Sequence, residues 1–466
     1  MGAQTGFRTL DREVAVDLEV RGELPRWLAG TLVRNGPARF ETDKGSFRHW
    51  FDGQAMLHRF GFADGAVSYR NRYLETPSLR AVRETGHIAF GEFATDPCRS
   101  IFNRFFTHPS LRRTSNANVN VVSDGERDWA LTETPIAVEF DRDTLATVGL
   151  ADYEDDLDGH VTTAHPHEAP LTGDLVNYVL KFGRRSVYRL YRQRGLTREV
   201  LASLPVDRPG YMHSFAITER HVVLAVFPLV VNPLTMLLRA KPFIENYRWR
   251  PELGTRFVVF DQRDGSVVAD ERADAFFAFH HINAYDADGR VVVDICAYPD
   301  STVVDALYLD RVRGAAELPL AFPTRFEVDL AGGGVTSRRL ADDSLELPGI
   351  AYRSHNGRDY SHAYGVGAHD NGTRDFVNQL VKVDVRSGRT SRWHEPGRYP
   401  GEPVFVPAPD ARAEDDGVVL SVVLDAEAGR SGLLVLDAAT FTEVARAEVP
   451  HAIPFGFHGK FASRRS

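Results

Sequence analysis

The pattern of apolar and polar positions is a succession of short apolar runs broken by polar turns, with few stretches of helical period. The recurring unit is an apolar strand, a turn and a second strand. Seven such hairpins stand along the chain: LHRFGFADGAVSY from Leu57, IAVEFDRDTLATV from Ile136, VYRLYRQRGLTREV from Val187, RFVVFDQRDGSVV from Arg256, RFEVDLAGGGVTSR from Arg325, LVKVDVRSGRTSRW from Leu380 and LLVLDAATFTEVAR from Leu433. Alternation over a few residues suits a half-buried strand, whereas a helix needs apolar positions three or four apart. Asp or Gly occupies several turns, as at Asp264-Gly265 and Ser387-Gly388. Both types tolerate positive φ or bond their own backbone. Units of this length exceed solenoid repeats and match propeller blades, each a small twisted sheet. The pattern predicts an all-β chain, a seven-bladed β-propeller in which residues 1–466 form one domain. A pair of β-sandwiches with coincidental hairpins is the alternative.

One segment breaks the pattern. Phe227 to Pro251, FPLVVNPLTMLLRAKPFIENYRWRP, mixes large apolar residues with Arg239, Lys241, Arg248 and Arg250. It is too short and too interrupted by proline to span a bilayer, but it suits a membrane interface. A buried insertion packed on the blades is the competing reading. No run of 18 apolar residues exists elsewhere.

Composition narrows the classes. The chain has 466 residues, 43% hydrophobic and 26% charged, with a net charge of −9. That supports a packed core and, with no basic tail or arm, argues against a nucleic-acid partner. Two cysteines, Cys98 and Cys296, exclude a disulfide framework and fit a reducing compartment. The N-terminus MGAQTGFRTL has no apolar core of a signal peptide. A cytoplasmic, bacterial protein is expected, with peripheral contact at the inner face of the membrane if the 227–251 segment makes it. Oligomeric state is open.

The histidines change the picture most. His165 follows the Ile136 hairpin, His213 the Val187 hairpin, His280 the Arg256 hairpin and His458 the Leu433 hairpin. Each comes a dozen residues or slightly more after the second strand. In a propeller that is where the chain returns to the axis as the next blade's inner strand. Four blades would thus aim one imidazole each at a common point. Two other hairpins lead to Glu346 and Glu402, and Glu133 is read on the strand just before the Ile136 hairpin. Metal-bound His usually donates its second N–H to a carboxylate or carbonyl. Four neutral imidazoles suit zinc, copper, iron or nickel, and no thiolate of a structural zinc site is near. With two positions left open, the set suits Fe(II) beside O2 and an apolar substrate. His49, His58, His167, His281 and His451 lack the repeat position and read as structural or as support behind the ligands. A non-catalytic propeller or a zinc hydrolase would be the rival classes.

RNGPARF, HWFDGQAMLHRF, TDPCRSIFNRFF, ALTETP, TAHPHEAP, FHHINAYD, YPGEPVFV, EDDGVVLSVV and PFGFHGKF occur in this order over almost the whole chain. The chain thereby resembles the carotenoid cleavage oxygenases, a family that includes the retinal pigment epithelium isomerohydrolase. The resemblance implies a seven-bladed propeller with a helical and loop cap over its top face. It implies an axial Fe(2+) held by His165, His213, His280 and His458, with Glu133, Glu346 and Glu402 behind them. It also implies cleavage of a conjugated C=C bond by O2 to two carbonyl products, on an apolar polyene: a carotenoid or apocarotenoid, with central cleavage to retinal-like products. ELPGIAY departs slightly, with Leu347 where animal members carry an aromatic residue. Stilbene cleavage is an alternative, opposed by Thr132 where that branch has lysine; retinoid isomerohydrolysis is another. Ile101-Phe102 and Phe105-Phe106 read as core or tunnel pairs.

Overall fold

The computed structural model describes residues 2–96, 115–238, 241–314 and 316–463. Among them the apolar runs form seven antiparallel sheets of four to six strands, with two small two-stranded sheets besides. Each hairpin read from the sequence is the outer strand pair of a different sheet. Gln54–Ala63 pairs with Ala66–Tyr73, Val138–Phe140 with Thr147–Leu150, and so on to Arg430–Asp437 with Glu443–Glu448. The turns follow the expected chemistry: Gly265 and Gly388 sit at φ +72° and +75°, a region open to Gly at little steric cost.

The sheets are the blades of a seven-bladed propeller. From blade 2 to blade 7 the inner strands are Asn120–Ser123, the broken pair Val161–Thr162 and His167–Glu168, Ala216–Ile217, His281–Ala287, Glu346–Gly349, and the broken pair Arg398–Pro400 and Val404–Pro407. Blade 1 takes its inner strand, Gly459–Ser463, from the far end of the chain, against Gly30–Arg39. Val20–Gly22 in turn adds an outer strand to blade 7. Both chain ends therefore lock the ring.

Burial follows position in the blade. The second strand of blade 4, His221–Val226, is buried at every residue because neighbouring blades cover both its faces. The outermost strand of blade 5, Val335–Arg339, is mostly exposed. A strand covered on two faces reads as a continuous apolar run rather than an alternation.

Alternating strand direction also decides the faces. Within a blade the turns of the outer hairpins lie on one face. The loop between second and third strands, and the link to the next blade, lie on the other. The described parts of the long insertions use that second face: 227–238 and 241–254 in blade 4, 298–314 and 316–321 in blade 5, 368–378 in blade 6, and 74–96 with 115–119 between blades 1 and 2. They carry sparse helices, Pro77–Thr85, Pro233–Leu238, Thr302–Ala306 and Leu309–Arg313, and form the cap. The 227–251 insertion is largely packed into this cap, with Phe227, Val231, Ile244 and Tyr247 buried, while Leu234 stays 59% exposed. Ile101-Phe102, Phe105-Phe106 and Cys98 lie outside the described residues. Cys296 is buried with a free thiol.

Candidate metal centre

The four predicted histidines meet on the cap side of the ring. His280 and His458 stand immediately before the inner strands of blades 5 and 1, and His213 shortly before that of blade 4. His165 differs: it occupies the break within blade 3's inner strand. The equivalence expected from spacing is therefore one of location, not of strand register. One candidate ligand nitrogen from each lies within 4.8 Å of all the others.

The carboxylates arrive by the same topology. Glu346 opens blade 6's inner strand and Glu402 lies in the break of blade 7's. Glu133 is not on a strand. It sits in the bend after Asp128–Leu131, the loop between second and third strands of blade 2, which reaches the same face as the histidines. His213 Nδ1 donates to Glu133 at 2.7 Å, His280 Nδ1 to Glu346 at 2.5 Å and His458 Nδ1 to Glu402 at 2.7 Å. Among the described residues no carboxylate bonds His165.

These contacts decide the tautomers. With its Nδ1 proton on a carboxylate, a neutral imidazole turns a bare lone pair outward at Nε2. Yet the Nε2 atoms of His280 and His458 face each other at 3.1 Å, as do those of His165 and His213. The bare lone pairs of His280 and His458 repel at that distance unless a cation lies between them. An ion about 2.1 Å from each imidazole nitrogen places neighbouring ligand atoms about 3.0 Å apart at right angles, so the residues fit a metal. Burial, followed by the nearby His458, His213 and His280 rings, holds His165 well below the usual imidazole pKa. It stays neutral, as a ligand must.

Residues that spacing did not single out support the carboxylates. Tyr211 donates its hydroxyl to Glu133 at 2.7 Å. Arg34, itself buried, forms an ion pair with Glu402 and donates to Phe457 O at 2.9 Å. Burial alone would raise the Glu402 pKa, but Arg34 and then His458 hold it below the usual carboxylate range. Leu347 adopts φ +48°, uncommon for a residue with Cβ, and its N–H donates to Glu346 at 2.9 Å. The only sequence signal for Arg34 was its place in RNGPARF, and for Tyr211 its place two residues before His213.

The five histidines set aside for lacking the repeat position bond within the protein. His49 bonds Val304 O at 3.0 Å, His58 bonds Tyr69 at 2.8 Å and His451 bonds Tyr69 at 3.1 Å. His167 bonds Tyr352 and Phe215 O, each at 3.0 Å, and His281 bonds Ser214 at 2.8 Å.

His213, His280 and His458 open onto a cavity whose walls include Trp50, Phe51, Val119, Phe279, Leu307 and Phe457. The Phe51 ring stacks on His213, centroids 5.9 Å apart. The chamber is therefore apolar, with its polar groups gathered at the metal end, the usual plan of a site for an apolar small molecule.

A family model described as retinal pigment epithelial membrane protein matches residues 7–463. The chain is 34% identical to the carotenoid isomerooxygenase of Galleria mellonella, over 99% of this chain and 96% of that protein. It is 33% identical to the mitochondrial carotenoid-cleaving dioxygenase of Homo sapiens, over 96% and 88%. Its fold is similar to the crystal structure of the cobalt-substituted apocarotenoid oxygenase of Synechocystis, with a TM-score of 0.89, 27% identity and coverage of 99% and 98%.

Proposed function

The chain belongs to the carotenoid cleavage oxygenase family, and on that premise we propose that it is an iron(II)-dependent oxygenase that cleaves a conjugated C=C bond of a carotenoid or apocarotenoid with O2, giving two carbonyl products. The observation that carries this reading is the cluster of four imidazoles opening onto an apolar chamber. Iron(II) bound there supplies O2 activation beside the double bond.

The chain's own residues do the rest. His165, His213, His280 and His458 hold the ion through Nε2. Glu133, Glu346 and Glu402 fix three of those rings in the ligating tautomer. Trp50, Phe51, Phe279 and Phe457 offer flat apolar walls to a flat polyene and keep water from the reacting bond. No side chain is asked to carry a proton, because the alkene supplies the electrons. Thr132 offers a hydroxyl bonded to Asn118 rather than a lysine for a phenol.

Aerobic incubation of the iron-loaded chain with β-carotene, a β-apocarotenal and resveratrol, with products identified by mass, tests the reading. Paired aldehydes from a polyene, with resveratrol intact and about one iron per chain, are expected. Turnover of resveratrol alone would move the substrate class. Stoichiometric zinc, no iron and no cleavage would sink the activity.

Such a substrate resides in membranes, and the reading includes peripheral contact at one leaflet through the helix Pro233–Leu238. Among the described residues no helix is long and apolar enough to cross a membrane. The support for contact is the exposed Leu234, with exposed Lys241, Arg248 and Arg250 nearby in the chain, the pairing of apolar tip and cationic flank that interfacial segments use. Leu234→Glu should reduce flotation with anionic vesicles and slow cleavage of vesicle-embedded substrate, leaving detergent-dispersed substrate unaffected. Equal flotation and equal turnover in vesicles would count against membrane docking.

A further inference from the structure

The three carboxylates behind the imidazoles differ in what stands behind them. Glu133 accepts from His213 Nδ1 and from the neutral Tyr211 hydroxyl. Glu346 accepts from His280 Nδ1 and the Leu347 N–H. Glu402 accepts from His458 Nδ1, from the Gly459 N–H at 2.9 Å, and from Arg34. All three act only as acceptors, the role of an ionised carboxylate. Arg34 is the one cationic side chain hydrogen-bonded to any of them among the described residues. It lies on Gly30–Arg39, cross-strand from Gly459, and both members of the Arg34–Glu402 pair are buried.

With the imidazoles neutral, three carboxylates and one guanidinium leave the protein side of the centre at a net charge of −2. Uncompensated charge is costly in such a buried place. A divalent ion brings the assembly to neutrality; a trivalent ion leaves a surplus. We propose that Arg34 is a positioning and charge-setting residue: by cancelling one of three carboxylates it matches the buried shell to a divalent ion and disfavours the trivalent state. The inference rests on the iron reading of the centre. It gives Arg34 a role distinct from packing, because a purely structural residue would hold Glu402 in place without biasing the ion's charge.

The test uses the full chain loaded anaerobically with ferrous iron, with iron per chain measured first. It is then equilibrated in a ferricyanide–ferrocyanide redox buffer, and the ferric fraction is read by electron paramagnetic resonance. Arg34→Met should raise the ferric-to-ferrous ratio about tenfold, the order expected for one unit charge two side chains away at an effective dielectric of about 20. Arg34→Lys, which keeps the charge but not the fork, should stay near the wild type. Glu402→Gln should lower the ratio, and the double variant Arg34→Met with Glu402→Gln should return it towards the wild-type value. If Arg34→Met does not fold, the opposite shift in Glu402→Gln decides the matter. Equal displacement in the Met and Lys variants, or a ratio indifferent to both positions, overturns the inference alone. A wild-type chain that holds no iron overturns the reading of the centre and this inference with it.

Discussion

Replacing His280 with alanine is expected to abolish iron retention and C=C cleavage together, while leaving a folded propeller. The side chain is buried in the four-histidine cluster, so under the proposed function its loss removes one of four ligands and leaves Glu346 with no imidazole to orient. Three remaining imidazoles cannot restore the set, because each is fixed by its own blade. Glu346→Gln is the graded counterpart. The amide still occupies the place but is a weaker acceptor for His280 Nδ1–H, and outer partners of this kind typically change metal affinity or activity 10- to 100-fold. Iron per chain after gel filtration, with cleavage rate and far-ultraviolet circular dichroism on the same samples, separates these outcomes. Wild-type iron content in the His280→Ala chain would remove His280 from the ligand set.

The largest stability loss is expected away from the metal, at Arg325→Met. Arg325 and Asp294 are register partners on neighbouring strands of blade 5. The guanidinium grips the carboxylate at two points, both 2.8 Å, and the Tyr360 hydroxyl adds a third bond at 2.7 Å. Asp294 is fully buried, at 0% exposure. Removing the cation strands that carboxylate with one neutral partner, a change that costs about 3–5 kcal/mol when a buried pair is broken. Adding Asp294→Asn to the same chain should recover much of the loss, because the buried charge goes with its partner. Urea unfolding midpoints of the single and double variants check this. A midpoint unchanged in Arg325→Met would show that water reaches Asp294. Because Tyr360 belongs to blade 6, in the loop between its first two strands, and bonds Asp294 of blade 5, the loss should loosen the seam between those blades without touching a metal-site histidine.

The hairpins were legible because their cause is local. A two-residue period with Gly or Asp at the turn forces an antiparallel pair whatever surrounds it, so all seven reappear as outer strand pairs. The inner strands were harder to see. Ala216–Ile217 and Val161–Thr162 are two residues long, too short for any period. The four histidines were legible both through the repeat and through the family motifs, and Glu346 and Glu402 likewise. Glu133 was found by its motif but misplaced, because a bend between strands carries no periodic signal. Among the described residues of the 227–251 segment Phe227, Val231, Ile244 and Tyr247 pack inward, as a buried insertion would, and Leu234 stays exposed.

Arg34 marks the boundary. It is 368 positions from Glu402, and nothing in its neighbourhood says that the far end of the chain will return as blade 1's inner strand and set the two side by side. The sequence by itself determined the seven strand pairs, the scarcity of long helices among the described residues and a set of four histidines able to meet at one point, since those depend on residue type and near-neighbour spacing. Only the tertiary structure decided that the Nε2 atoms of His280 and His458 face one another, that Tyr211 backs Glu133 and that Arg34 backs Glu402. Those properties depend on contacts made when the ring closes, and ring closure joins positions whose separation along the chain encodes no distance in space.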